Sequence, residues 1–465
     1  MKKLMLAAAG ALMSGALVAG SAARAEDAAG DWAGVLGGQL HLIVHLTRSA
    51  DGKLAGVLES VDQGDARIPI ATIDATPDHL AFALPNINGS YDGVWDDARK
   101  QWTGTWTQGQ PAPLNLHRAT AADGVAPKRP QEDAIAKGPL PYGNETVGFA
   151  NAQAAGVTLA GTFSKPAGAG PFPTVVLISG SGPNTRDEDV FSHKIFLVIA
   201  DHLNRQGIAV LRYDKRGIGA STGNYAAATS ADFISDAEAA VAYLKTRKDV
   251  DPKHIGLLGH SEGGLIAPAV AAADPGVGFI VLMSGPGVRG DRILLTQGDL
   301  IARANGAPAA AVARDHDLRA QTFATVTAST DAADARAKLE AGAARAIAAG
   351  ALKKDAADQG IAQVTSPWMY SFLRYDPAPA LQKVRVPVLA LGGSLDLQVE
   401  PKENLAAIKA ALKDDSDVTV VELPGLNHLF QDATTGSPNE YYGIEETVSP
   451  AALKTIGDWI GAHIR

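Results

Sequence analysis

Between Asp31 and about Arg118 the hydrophobic positions of this chain recur at every second residue. In "QLHLIVHLT", Leu40, Leu42, Val44 and Leu46 alternate with Gln39, His41, Ile43, His45 and Thr47, which places the first set on the buried face of a strand. Asp51-Gly52 supplies a tight hairpin turn before "LAGVLESV", and the same alternation returns in "HLAFALP", "GSYDGVWD", "QWTGTWTQG" and "LNLHRA". Short strands joined by tight turns predict a small antiparallel β-domain over residues 26–118, either a barrel or a sandwich. Trp95, Trp102 and Trp106 are expected in its core, because large aromatic rings fill small β-domains; a ligand-facing patch is the alternative. Residues 119–142, "ATAADGVAPKRPQEDAIAKGPLPY", lose the alternation, collect proline, alanine and charge, and read as a linker.

From residue 143 to 465 the period changes. "VTLAGTF" is a strand candidate, "PTVVLISG" is a continuous apolar run of the kind buried in a parallel sheet, and "FLVIADHLNRQGIAVLRYD" is a helix pattern feeding a further strand. A helix at Asp232 to Arg247, a strand at Ile255 to Leu258, a helix from Gly263 and a strand at Phe279 to Met283 follow. Strands alternating with helices predict a mostly parallel sheet covered on both faces, an α/β fold. Between about Pro286 and Asp376 the alternation stops, and segments such as "AAVARDHDLRAQTFA" predict amphipathic helices inserted into the sheet, a candidate lid. The strands resume at "VPVLALGG" and "VTVVELPG".

Composition narrows the picture. The 465 residues are 46% hydrophobic and 20% charged, enough to bury a large core in two or three domains. The net charge of -9 offers no broad basic surface, which excludes nucleic acid as an expected partner. Residues 1–25, "MKKLMLAAAGALMSGALVAGSAARA", carry two lysines, an apolar run and small residues ending Ala23-Arg24-Ala25, the order of a secretory signal peptide cleaved after Ala25. A periplasmic or secreted protein is therefore expected, without stable membrane insertion after signal removal, since no later stretch offers eighteen uninterrupted apolar residues. The chain has no cysteine, so disulfides, lipid attachment at the cleavage site and a cysteine nucleophile are all excluded.

The chemistry centres on "LGHSEGG". By itself a G-x-S-x-G match proves little, for with 49 glycines it would arise by chance in about one such chain in four. Here, however, a buried strand precedes Ser261 and a helix pattern follows it, the elbow that lifts a nucleophilic hydroxyl clear of a sheet and sets it at a helix N-terminus. A serine still needs a base and a group to orient that base. Of the eleven histidines, His428 lies in the loop "LPGLNHLF" directly after the last predicted strand, while Asp396 follows the two glycines that end the strand before it. Asp376 and Asp432 are rivals for the acid, but neither follows a sheet strand so directly. The other histidines have structural readings: His260 is expected to point away from the turn, and His193 and His202 to lie on a helix surface. For an oxyanion the expected donors are the backbone N–H of Glu262 and, from the loop "SGSGPNTRDED", that of Ser181, with Gly182 as the alternative. Neither the G-K-[ST] of a phosphate loop nor H-E-x-x-H occurs, so no cofactor and no metal is expected.

These residues resemble an α/β-hydrolase of the serine esterase type. "SGSGPNTRDED", "RYDKRGIGASTG", "GHSEGG", "SPWMYSFLRYDP", "VPVLALGGSLDLQVEPKENL" and "LPGLNHLFQ" are together similar to a group of bacterial carboxylesterases related to the esterase D of thermophiles, often described as dienelactone-hydrolase-like or serine aminopeptidase-like. The similarity covers roughly residues 145 to 465 and implies a catalytic triad of Ser261, Asp396 and His428, with the turn around Asp214, Arg216 and Gly217 structural. It implies hydrolysis of small carboxylic esters with short acyl chains through an acyl-enzyme. A serine peptidase or amidase of aminopeptidase type is the alternative, and a binding protein acting through the β-domain is a third reading.

Overall fold

The structure is a computed structural model that describes residues 27–36, 40–61, 66–108, 110–121, 123–124, 127–415 and 417–464; the expected signal peptide lies outside them. The chain divides into two compact units, with the division between residues 126 and 127.

The first unit follows from the alternation. Its strands are β1 Gly30–Leu36, β2 Leu40–Arg48, β3 Leu54–Ser60, β4 Ala66–Ile70, β5 Thr72–Ala75, β6 His79–Leu84, β7 Gly89–Asp96, β8 Gln101–Gln108 and β9 Gln110–Arg118. They form one antiparallel sheet in the order β4-β3-β2-β1-β9-β8-β7-β6-β5. Because β4 and β5 adjoin in the chain yet stand at opposite ends of that order, the sheet curls back on itself. Leu42, Val44 and Leu46 point inward with Trp32, Tyr91, Trp102 and Trp106. Trp95 packs edge-on against Trp102 with ring centroids 5.1 Å apart, so the three expected tryptophans belong to the core. Ile43 departs from the predicted alternation: it too is buried, with Gly124 of the segment after β9 folded against it.

The second unit contains α1 Pro130–Lys137, β10 Tyr142–Ala150, β11 Thr158–Pro166, β12 Phe172–Ile178, a two-residue pair β13 Asp189–Val190 and β14 His193–Lys194, α2 Ile195–Arg205, β15 Ala209–Tyr213 and α3 Ser230–Lys245. It continues with β16 Val250–His260, α4 Glu262–Ala273, β17 Phe279–Met283, α5 Gly290–Ala304, α6 Ala309–Thr327, α7 Ala332–Ala348, α8 Lys354–Val364, α9 Pro367–Arg374 and α10 Ala378–Leu381. The last elements are β18 Val388–Gly393, α11 Pro401–Ala411, β19 Val418–Leu423, α12 Pro438–Tyr441 and α13 Pro450–His463. The eight-stranded sheet runs β10-β11-β15-β12-β16-β17-β18-β19, antiparallel across its first three strands and parallel thereafter.

The parallel strands read as continuous apolar runs because both faces are covered. Val175, Leu177, Leu258, Val281 and Leu389 face α2 and α13, whereas Val176, Ile178, Leu257, Ile280 and Val388 face α3, α4 and α11. This is the α/β-hydrolase fold, with α5 to α9 as the helical insertion between β17 and β18. Among the described residues no helix is long and apolar enough to cross a membrane.

Part of the expected linker is ordered structure. Pro130 opens α1, its fixed φ suited to the first helical position, with Glu132 and Asp133 in the first turn where acids favour the helix. Ile135 joins the core, and Arg129 donates to the carbonyls of Ser192, Tyr442 and Ile444, so residues 127–142 are held by the second unit.

Candidate active site

Ser261 sits between the last residue of β16 and the first of α4, with φ 53° and ψ -118°, a backbone conformation that non-glycine residues adopt only where the surroundings enforce it. The enforcement is visible in the flanking glycines. A Cβ on Gly259 would lie 2.0 Å from the carbonyl oxygen of Gly263, and one on Gly263 would lie 1.9 Å from the carbonyl oxygen of Ile178. The glycines of "GHSEGG" therefore let α4 start hard against the ends of β16 and β12. The strand ladder reaches the serine itself, whose N–H donates to the Met283 carbonyl at 2.9 Å.

The loops after β18 and β19 bring Asp396 and His428 together. Asp396 is buried, and its Oδ1 accepts the N–H groups of Gln398 and Val399 at 2.8 and 2.9 Å. Its Oδ2 lies 2.9 Å from His428 Nδ1. Burial alone would push this carboxyl up, but the facing His428 and the backbone donors outweigh it and hold the group below its usual value, as a carboxylate. A carboxylate only accepts, so the proton of neutral His428 stands on Nδ1 and the lone pair on Nε2. Asn427, fully buried, shapes the loop: its Oδ1 accepts from Leu429 and Gln431 N–H, and its Nδ2 donates to Gln431 Oε1. Ser261 Oγ makes no hydrogen bond to His428 in this structure; serine–base contacts in unliganded sites are often long and tighten when substrate binds. The rival acids stand apart. Asp376 and Asp432 are exposed, and Asp376 accepts the Ala378 N–H at the start of α10.

The expected oxyanion donors lie beside the elbow. Glu262 is the first residue of α4, where no carbonyl of the helix can accept its N–H. Across from it, a Cβ on Gly180 would stand 3.0 Å from Ser261 Cβ, so the loop after β12 touches Ser261 directly. Gly180 N–H is bound by Glu188 Oε1 at 2.5 Å, and Gly182 N–H faces the Tyr225 hydroxyl.

Two histidines differ from their expected places. His260 does not point away: it is buried, its Nδ1 lies 3.1 Å from Glu188 Oε1 and its Nε2 3.0 Å from the His428 carbonyl oxygen. Both ring nitrogens face acceptors, which only the doubly protonated ring satisfies. Burial disfavours that cation, yet the Glu188 carboxylate beside it raises the ring's pKa above the ordinary value. His193 is fully buried rather than on a helix surface, because the β13–β14 turn carries it under Tyr441, whose carbonyl lies 2.9 Å from its Nε2; burial lowers its pKa to about 4. In the turn at Asp214 and Arg216, Arg186 pairs with Asp214 and Arg216 with Asp232 and Asp236. Between them, however, Lys215 reaches the site. Its Nζ donates to the Gly180 carbonyl at 2.6 Å and to Glu262 Oε2 at 3.1 Å, while Glu262 Oε1 also accepts from Ser230 Oγ and Trp368 Nε1. Among the described residues no group of three or more His, Cys, Asp or Glu could hold a metal ion.

The family model described as serine aminopeptidase, S33, matches residues 192–432, over half of the chain. The chain belongs to the serine aminopeptidase S33 family. The matched span runs from the β13–β14 turn to the loop of His428, so Ser261, Asp396 and His428 all fall inside the S33 match. The chain is also similar to esterase EstD of Thermotoga maritima, 28% identical over 302 residues, which are 65% of this chain and 65% of that esterase's length. Among solved structures it is similar to an esterase of Pyrococcus furiosus, at 16% identity and TM-score 0.42 over 70% of this chain and 91% of that one. It is also similar to the α/β-hydrolase GrgF of a Penicillium species, at 18% identity and TM-score 0.45 over 70% and 99%.

Proposed function

We propose that the protein is a serine hydrolase of carboxylic esters with short acyl chains, acting through Ser261, His428 and Asp396. The observation that carries this reading is the buried 2.9 Å pair of Asp396 and His428, whose carbonyl oxygen lies 3.0 Å from Nε2 of His260, the residue before a serine held on a strained strand–helix turn. Its similarity to a protein named as an esterase points the same way. In the first half-reaction Ser261 Oγ attacks the ester carbonyl carbon while His428 Nε2 takes the hydroxyl proton, and Asp396 stabilises the imidazolium that results. The carbonyl oxygen becomes an oxyanion received by the N–H groups of Glu262 and Ser181. Collapse expels the alcohol, which takes the proton from His428. Water, deprotonated by the same nitrogen, then hydrolyses the acyl-enzyme and returns Ser261 to its starting state.

The family's aminopeptidase description makes amide cleavage the second reading. An aminopeptidase needs a carboxylate for the substrate's ammonium, and the two buried carboxylates beside the elbow are already engaged, Glu262 with Lys215 and Glu188 with His260. Short-chain p-nitrophenyl esters and aminoacyl anilides assayed in parallel separate the readings, with turnover expected on the esters. Ser261→Ala is expected to lower that turnover by about 10⁴-fold or more with the thermal midpoint preserved. A folded Ser261→Ala protein that keeps near-wild-type turnover would remove the nucleophile from the scheme.

A further inference from the structure

We propose that Lys215, seconded by Asn184, is a positioning residue for the oxyanion site: by gripping the Gly180 carbonyl it aims the N–H of Ser181, in the same peptide, at the developing charge. The inference rests on the ester-hydrolase reading. A trans peptide is planar, and its C=O and N–H point in opposite directions. The Gly180–Ser181 bond is not among the cis peptides of the chain. Its carbonyl receives Lys215 Nζ at 2.6 Å and Asn184 Nδ2 at 2.8 Å, and Asn184 Nδ2 also reaches the Ser181 carbonyl at 3.0 Å. With the carbonyl pinned from one side, the Ser181 N–H is turned to the other. Gly180 lies against Ser261, so the turned N–H belongs to the peptide next to the nucleophile.

Lys215 touches the second donor's residue as well. Its ammonium pairs with the Glu262 side chain, and the Glu262 N–H is the other expected oxyanion donor. The third direction of the ammonium is filled by the face of Phe233, with Nζ 4.3 Å from the ring centroid. One cation thus ties together the two chain segments between which an oxyanion would sit. Lys215 and Glu262 are 4% and 1% exposed, and burying two such charges is costly before their attraction is counted, so an apolar pair of similar size would serve packing alone as well or better. A positive charge on the carbonyl oxygen also draws electron density through the amide, which strengthens the N–H as a donor.

The experiment uses the full chain with Lys215→Met combined with Glu262→Gln. The pair removes both charges without stranding either one, and glutamine keeps an acceptor for Ser230 and Trp368 and leaves the 262 N–H in place. On p-nitrophenyl acetate kcat is expected to fall on the order of a hundredfold. KM should change by less than about threefold, since the oxyanion forms only after substrate binds. Affinity for a trifluoromethyl ketone, which forms a tetrahedral oxyanion with the serine, should fall by the same factor as kcat/KM, whereas a merely structural role would shift KM and thermal midpoint instead. If the double variant does not fold, Asn184→Ala, which leaves the buried ion pair intact, must show the same split at about tenfold. A folded variant with kcat and ketone affinity near wild type overturns the inference. Absence of ester turnover in the wild-type protein overturns the hydrolase reading itself, and this inference with it.

Discussion

At His260 two acceptors settle a protonation state. The ring lies between the Glu188 carboxylate and the His428 carbonyl, and its pKa is raised above the ordinary 6.5 by that carboxylate despite burial. A group whose pKa rises on folding stabilises the fold fully below its unfolded value and loses that contribution as pH climbs through its folded value. Wild type should therefore exceed Glu188→Gln in thermal midpoint most clearly at and below about pH 6.5, with the margin narrowing toward pH 9. Melting curves from pH 5 to 9 measure this, and a margin independent of pH would exclude the imidazolium. Asp396, whose pKa is lowered, acts only in more acid solution, and buried His193 affects both proteins alike.

Elements were legible in proportion to how completely they are covered. The fully buried strands β15, β17 and β18 and the largely buried β12 announce themselves as apolar runs, and the insertion between β17 and β18 as a loss of alternation. The strand β10, "YGNETVGFA", is mostly exposed and polar, so nothing in its pattern marks it, and α1 hides in a stretch dominated by proline and charge. The residues of the proposed triad were legible because each lies in the turn or loop after a strand, Ser261 at the end of β16, Asp396 just beyond β18 and His428 just beyond β19. Lys215, Glu188 and the true orientation of His260 were not, because the bonds Lys215–Gly180, Lys215–Glu262, Glu188–His260 and His260–His428 span 35 to 168 residues and only the fold brings those partners near. At the elbow, the approach of α4 to β12 yields a sharp expectation. Gly263→Ala would drive a methyl group to 1.9 Å from the Ile178 carbonyl oxygen, backbone that has nowhere to go. Overpacking of this kind costs about 1–3 kcal/mol in adaptable cores, and more where only backbone could yield. The thermal midpoint should fall by roughly 5 °C or more; a drop within about one degree would show that the helix start can shift.

The whole molecule consists of two units with separate cores. Trp32, Tyr91 and Trp102 anchor one, and two apolar layers on either face of the eight-stranded sheet anchor the other. Every residue of the scheme proposed above lies in the second unit. A fragment of residues 127–465 is therefore expected to fold and to hydrolyse p-nitrophenyl acetate within about threefold of the full chain, as befits a domain with its own core. A folded but inactive fragment would assign the β-unit a part in the chemistry. Within the sheet, the serine follows β16, flanked by strands on both sides, whereas the histidine hangs from β19, which has a single neighbour and is only partly covered. Warming would loosen the rim of such a sheet ahead of its middle. His428 would drift from its post while the Ser261 hydroxyl stayed put, so the proposed hydrolysis would fail before the protein came apart, and cooling would restore it without refolding.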